Sequence, residues 1–233
     1  MRIVAAGLAL WAGLVLLAGL ALWAGLAQAQ DSVVSTGPLS DDDFYDLVAC
    51  AAPPGQDCTV PIVRWARSDD LTVALFQIDP GYPKDRRIAL TKALYAAIDQ
   101  INASHAALRL RFAPPGSMAD ITVHLLDIPM GGQIAATGLD PLDGSPIEAA
   151  LVQLWWNGNL DLTRAAIVFP QNIEWQGLKS IVLEELTQAM GLRTDIANPW
   201  YERRSVFSET SNSVTQLGQQ DIMALQRHYP LTK

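Results

Sequence analysis

Residues 3–26 carry no charge, and this stretch decides in which compartment the rest of the chain must fold. Arg2 precedes it and Ala27-Gln28-Ala29 follows it, the small-x-small pattern at which secretory signals are cut. The apolar run is longer than the ~7–15 residues usual for a signal. The cause is visible: residues 6–14 read AGLALWAGL, and residues 18–26 repeat that string. Cleavage puts the mature start at Gln30 and makes the protein secreted or periplasmic. Left uncut, residues 3–26 reach the ~20 apolar residues that span a bilayer and anchor the protein instead. Either outcome leaves the folded part outside the cytoplasm. The reading divides the chain into a signal peptide at 1–29, a flexible leader at 30–39, a short helix with a cysteine loop at 40–60, and one domain at 61–233.

Removing residues 1–29 removes one Arg and no acid, leaving 15 basic against 24 acidic residues, a net charge of −9. Phosphate backbones are bound through basic patches, so this balance argues against nucleic acid as a partner. It also argues against docking of the mature domain on anionic lipid. Cys50 and Cys58 are the only cysteines. In an oxidising compartment their short spacing, across Pro53, Pro54 and Gly55, reads as a disulfide loop; two free thiols are the alternative.

Hydrophobic periodicity places the elements. Ser40 before Asp41, Asp42 and Asp43 suits a helix start, with the acids favouring its positive end. Residues 71–78 read as a strand and 84–103 as a helix with apolar positions at helical spacing. Strands are expected at 108–112, 120–126, 149–156 and 165–169. A helix is expected at 178–190 and another from Val214 or Thr215 to His228, stopped by Pro230. The Gly- and Pro-rich stretch 129–146 reads as a loop across one end of a cleft. This order implies an α/β (α+β) domain with a mixed sheet.

The most informative stretch is residues 183–195, LEELTQAMGLRTD. It resembles the zinc helix of metzincins, H-E-x-x-H-x-x-G-x-x-H followed by Asp, in which two histidines one turn apart and a third beyond a glycine turn hold the metal, and the glutamate acts as general base. The frame matches and the ligands differ. Glu184 stands at the first histidine, Glu185 at the general base, Gln188 at the second histidine, Gly191 at the turn, Thr194 at the third histidine and Asp195 at the following acid. Residues 217–229, LGQQDIMALQRHY, resemble the closing helix of matrixin-type domains. Ser205-Val206-Phe207 lies where that family makes its methionine turn, and residues 119–124 resemble an upper strand of its sheet. The chain is also similar to an uncharacterised family of exported bacterial proteins with E-E-x-T-Q-x-x-G-L at this helix, a Cys-loop-Cys and an Arg-Trp pair, here Arg64-Trp65.

The resemblance implies a metzincin-like zincin domain with a mixed twisted sheet, an active-site-type helix and a C-terminal helix. Zinc prefers imidazole or thiolate, so a Glu184, Gln188 and Thr194 set is a poor one, and no cofactor is expected. His105, His124 and His228 are scattered and read as a helix-end, a strand and a dipole-complementing residue. Glu184 and Glu185 point about 100° apart on a helix and do not flank one bond unaided. Two functions remain. One is a pseudo-peptidase that binds a peptide or other envelope component by edge-strand addition. The other is a hydrolase with Glu185 as general base and Glu184, Gln188 and Asp195 around a metal or water.

Overall fold

The computed structural model describes residues 30–231; the proposed signal peptide and anchor at 1–29 lie outside the described residues. The elements are β1 (Gln30–Val34), α1 (Asp41–Cys50), β2 (Arg64–Trp65), β3 (Leu71–Ile78), α2 (Lys84–Asn102), β4 (Leu110–Phe112), β5 (Ile121–Leu126), β6 (Leu151–Trp156), β7 (Asp161–Pro170), α3 (Leu178–Gln188), β8 (Thr194–Ala197) and α4 (Gln219–His228), with a 3₁₀ turn at Pro199–Tyr201. The α/β class with a mixed sheet is therefore what the chain adopts.

The main sheet runs β2-β7-β5-β3-β4, all parallel, with β6 antiparallel on β7. Strand β5, the 119–124 resemblance, lies inside the sheet between β3 and β7, which is why all six of its residues are buried. Its alternate residues sort onto two faces, as strand geometry requires. Ile121, Val123 and Leu125 join the main core with Leu90, Leu94 and Ile98 of α2 and Leu183 and Leu186 of α3. Leu126 points the other way into a second cluster.

That second cluster places the loop 129–146. Ile134 and Leu142 from this stretch, with Ile147 just after it, pack with Ala166 and Val168 of β7, so the loop covers the back of the sheet. Turn residues predict a loop, but only the unmatched apolar face of β7 tells it where to lie. The same two-sided packing separates the tryptophans of β6. Trp155 joins the back cluster beneath Arg164, and Trp156 joins the main core.

The expected flexible leader is a strand instead. Backbone pairing puts β1 parallel to β8, and Ser35 N–H donates to Ala197 O. Asn198 Nδ2 then bonds Ser35 and Gly37, and Leu39 N–H donates to Tyr201 Oη. Polar composition implied disorder; partners far along the sequence supply order. The expected start of the last helix moves from 214–215 to Gln219. Gly218 N–H donates to Asp221 Oδ2 at 2.7 Å, closing the first turn there. A Cβ at 218 would lie 1.9 Å from Arg204 O, so only glycine fits.

Helix α1 starts as expected, with Ser40 Oγ accepting from Asp43 N–H. Cys50 ends it and is bonded to Cys58, Cα to Cα 5.1 Å. The intervening loop folds back so that Gly55 N–H reaches Asp43 and Thr59 N–H reaches Cys50 O. Closing so short a loop removes roughly 2–3 kcal/mol of denatured-state entropy. Cys50→Ser with Cys58→Ser is therefore expected to lower stability by about that amount, read as a lower urea midpoint.

Candidate functional site

Helix α3 is buried almost all round, because it sits between the sheet, α2 and the 194–208 segment. Its last turn leaves carbonyls without intrahelical partners, as every helix end does. The N–H groups of Ala189, Met190 and Gly191 take those of Glu185, Thr187 and Gln188, and two distant residues take the next two carbonyls. The Trp65 indole N–H donates to Ala189 O at 3.0 Å, and Tyr229 Oη donates to Met190 O at 2.6 Å. Tyr229 Oη in turn accepts from Trp65 N–H at 3.1 Å. The Arg64-Trp65 pair and the tyrosine closing the last helix thus meet at one turn.

Gly191 follows with φ +99°, a conformation that a side chain disfavours. A Cβ there would meet Val63 O at 2.1 Å and His228 Nε2 at 2.9 Å. His228 Nε2 donates to Val63 O at 2.9 Å, which leaves Nδ1 to accept from Tyr45 Oη at 3.1 Å. Burial pushes its pKa down to about 4, so the ring is neutral at pH 7. It cannot complement the helix dipole as expected; Arg227 beside it carries the charge and pairs with Asp42. His124 is buried between Gln77 and Thr122 and is also held down at about 4, chiefly by burial. His105 is exposed beyond the end of α2 with φ +61°.

The turn brings Asp195 back to α3. Gln188 Nε2 donates to Asp195 Oδ1 at 2.7 Å, and Glu184 also hydrogen-bonds Asp195. Glu184 and Glu185 are each 9 % exposed. Burial first, and then the charge of Asp195, raises the pKa of both. Glu184 is held well above the carboxylate range, and Glu185 is pushed up to about 8. Asp195 is raised by burial and by Glu209, while its bonds from Gln188 and Glu184 oppose the shift. At neutral pH Glu185 is mostly a carboxylic acid. The upward shift of Glu184 favours a shared proton between it and Asp195, which also accepts from Gln188.

Thr194, at the third-histidine position, is fully buried with an Oγ1 that has no partner. The sequence reading passed over Arg193 beside it. This guanidinium is 3 % exposed, bonds only Pro61 O and lies 5.1 Å from the Trp156 ring. Its Nε and Nη1 have no acceptor. Nothing in the local pattern marks an arginine as buried; only the folding of β6 against the turn does. Phe207, where a methionine was expected, is buried against Phe44. Asp221 holds that turn through Ser205 Oγ and Val206 N–H. Trp175 and Trp200 are exposed, each stacked under an arginine, so the tryptophans do not line one cleft. Among the described residues no three His, Cys, Asp or Glu side chains converge in an arrangement that could hold a metal ion. The chain matches no protein-family model, and a search of the curated proteins found no match.

Two measurements test this geometry. Gly191→Ala must move Val63 or abandon the turn, and is expected to cost at least about 2 kcal/mol in urea denaturation. Glu185 gives a pH dependence whose sign follows from its raised pKa. The proton it keeps on folding stabilises fully below about pH 4.5, and that contribution is lost as pH rises through about 8. His124 and His228, both lowered, act oppositely as pH falls from 6.5 towards 4. The comparison between wild type and Glu185→Gln isolates the glutamate. The variant is expected to gain on wild type from pH 5 to 8, by a few kcal/mol, roughly 1.4 per pH unit.

Proposed function

We propose that this protein is a metzincin-like pseudo-peptidase of the cell envelope that binds an extended peptide or another envelope component without zinc. The observation that carries the reading is the carboxyl network at the helix end. Gln188, standing where a ligand histidine would, has its amide committed to Asp195. Thr194 offers a hydroxyl, and burial of Glu184 beside Asp195 disfavours the ionised carboxylate a metal would need. This donor set does not fit zinc, which takes imidazole, thiolate or ionised carboxylate. The network instead does the mechanical part of a metal's work, tying the chain beyond Gly191 back to the helix.

Strand β6 supports the mode of binding. It pairs with β7 along one edge, and among the described residues no strand pairs with the other. It also packs beside α3. An extended ligand can add to such an edge through main-chain hydrogen bonds. The hydrolase alternative needs Glu185 to accept a proton from water at neutral pH. A side chain that already holds one up to about pH 8 is poorly suited to that step.

Mature protein, purified from an export compartment without chelator, is expected to be folded and to contain no stoichiometric zinc by elemental analysis. Glu185→Gln is expected to leave peptide binding intact. One equivalent of zinc that disappears in Glu184→Ala, or a peptide hydrolysis abolished by Glu185→Gln, would sink the pseudo-peptidase reading in favour of the hydrolase.

A further inference from the structure

A deep groove lies away from the carboxyl network. It has a volume of about 880 Å³, within the range of small-molecule sites. One wall is the exposed flank of α2, where Ala89, Ala93, Ala96 and Gln100 recur at helical spacing. Leu178 of α3 and Leu217 and Ile222 of the last segment form the others. From Ala89 to Ala103 the groove follows α2 for about 20 Å, at 1.5 Å per residue. That length exceeds what a compact metabolite would fill.

Its two ends differ in charge. Lys92 and Lys179 line it, two of only four lysines in the chain. Neither has an ion-pair partner among the described residues. Arg86 stands one turn before Ala89 on the same face of α2. Its guanidinium lies 4.2 Å from the ring of Trp175, which lines the groove and is 51 % exposed. One of its terminal nitrogens, Nη1, is buried without an acceptor. In a chain of net charge −8, Lys92 and Lys179 in this groove and Arg86 against its exposed tryptophan favour an anion. The far end carries Asp99, and Gln100 is bonded there to Thr215 O and Leu217 N. An anionic group is therefore favoured at one end only, with apolar surface leading away from it.

We propose that this groove binds a single-chain amphiphile with an anionic head, the head held at Arg86, Lys92 and Lys179 and the acyl chain laid along the alanine stripe of α2. The long-chain carboxylates are the class that combines one compact negative charge with one unbranched chain. Trp175 supplies the interfacial ring where head meets chain.

The test is calorimetric titration of the mature, disulfide-bonded protein with hexadecanoate kept below its micelle concentration. One saturable site is expected. Lys92→Glu with Lys179→Glu, both at exposed positions, is expected to weaken binding at least about tenfold, as is replacing the probe by its methyl ester. Ala96→Trp, also at an exposed position, fills the trough and is expected to abolish binding while circular dichroism stays unchanged. Acetate, the head without the chain, is expected not to compete. No saturable binding, binding indifferent to the charge reversals or to Ala96→Trp, or competition by acetate at equal concentration would each overturn the proposal.

Discussion

The turn beyond α3 governs the structure around it. A chain that leaves a helix in the interior must find partners for the carbonyls that follow it, and for Ala189 and Met190 they come from Trp65 and Tyr229. Trp65 and Tyr229 are far apart in the chain, so one turn ties β2 and the end of α4 to the middle of the domain. Gly191 makes the approach possible, since the Val63 carbonyl occupies the space a Cβ would need. His228, neutral and wedged between Val63 O and Tyr45 Oη, completes the clasp and links it to α1.

The carboxyl cluster follows from that turn. Once the chain reverses at Gly191, Asp195 has to lie against the helix end, beside Gln188 and Glu184. Glu184 and Asp195, brought together out of water, resist ionising together, and a retained proton is the least costly response. The acids thereby become hydrogen-bond donors as well as acceptors. The same proximity that would suit metal ligands here yields a closed network, because the side chains present can satisfy one another.

The site was legible from the sequence in its frame. The spacing of Glu184, Gln188, Gly191 and Asp195 implied a helix, a sharp turn and a return of the acid, and these four residues do come together. Helical and strand periodicity located β3, α2, β5 and α3 closely because each has one face or both faces buried in a single core. The strand at 30–34 and the packing of the loop 129–146 were not legible for one shared reason. Both are polar or turn-rich, and composition of that kind says nothing about a partner elsewhere in the chain. Arg193 was invisible for the converse reason: charge implies exposure, and only the packing of β6 overrides it.

What the sequence alone determined is therefore local: an uncharged apolar stretch at 3–26, a cysteine pair close enough to bridge, element types, and a glycine at a position where a chain must reverse. These depend on period, chirality and spacing, which act within a few residues. The tertiary structure decided which carbonyl meets Trp65, which face the long loop covers, and which acids hold their protons. Those outcomes depend on burial and on approach between distant segments. Desolvation is a property of everything that surrounds a group, and its neighbours in the chain are only a small part of that.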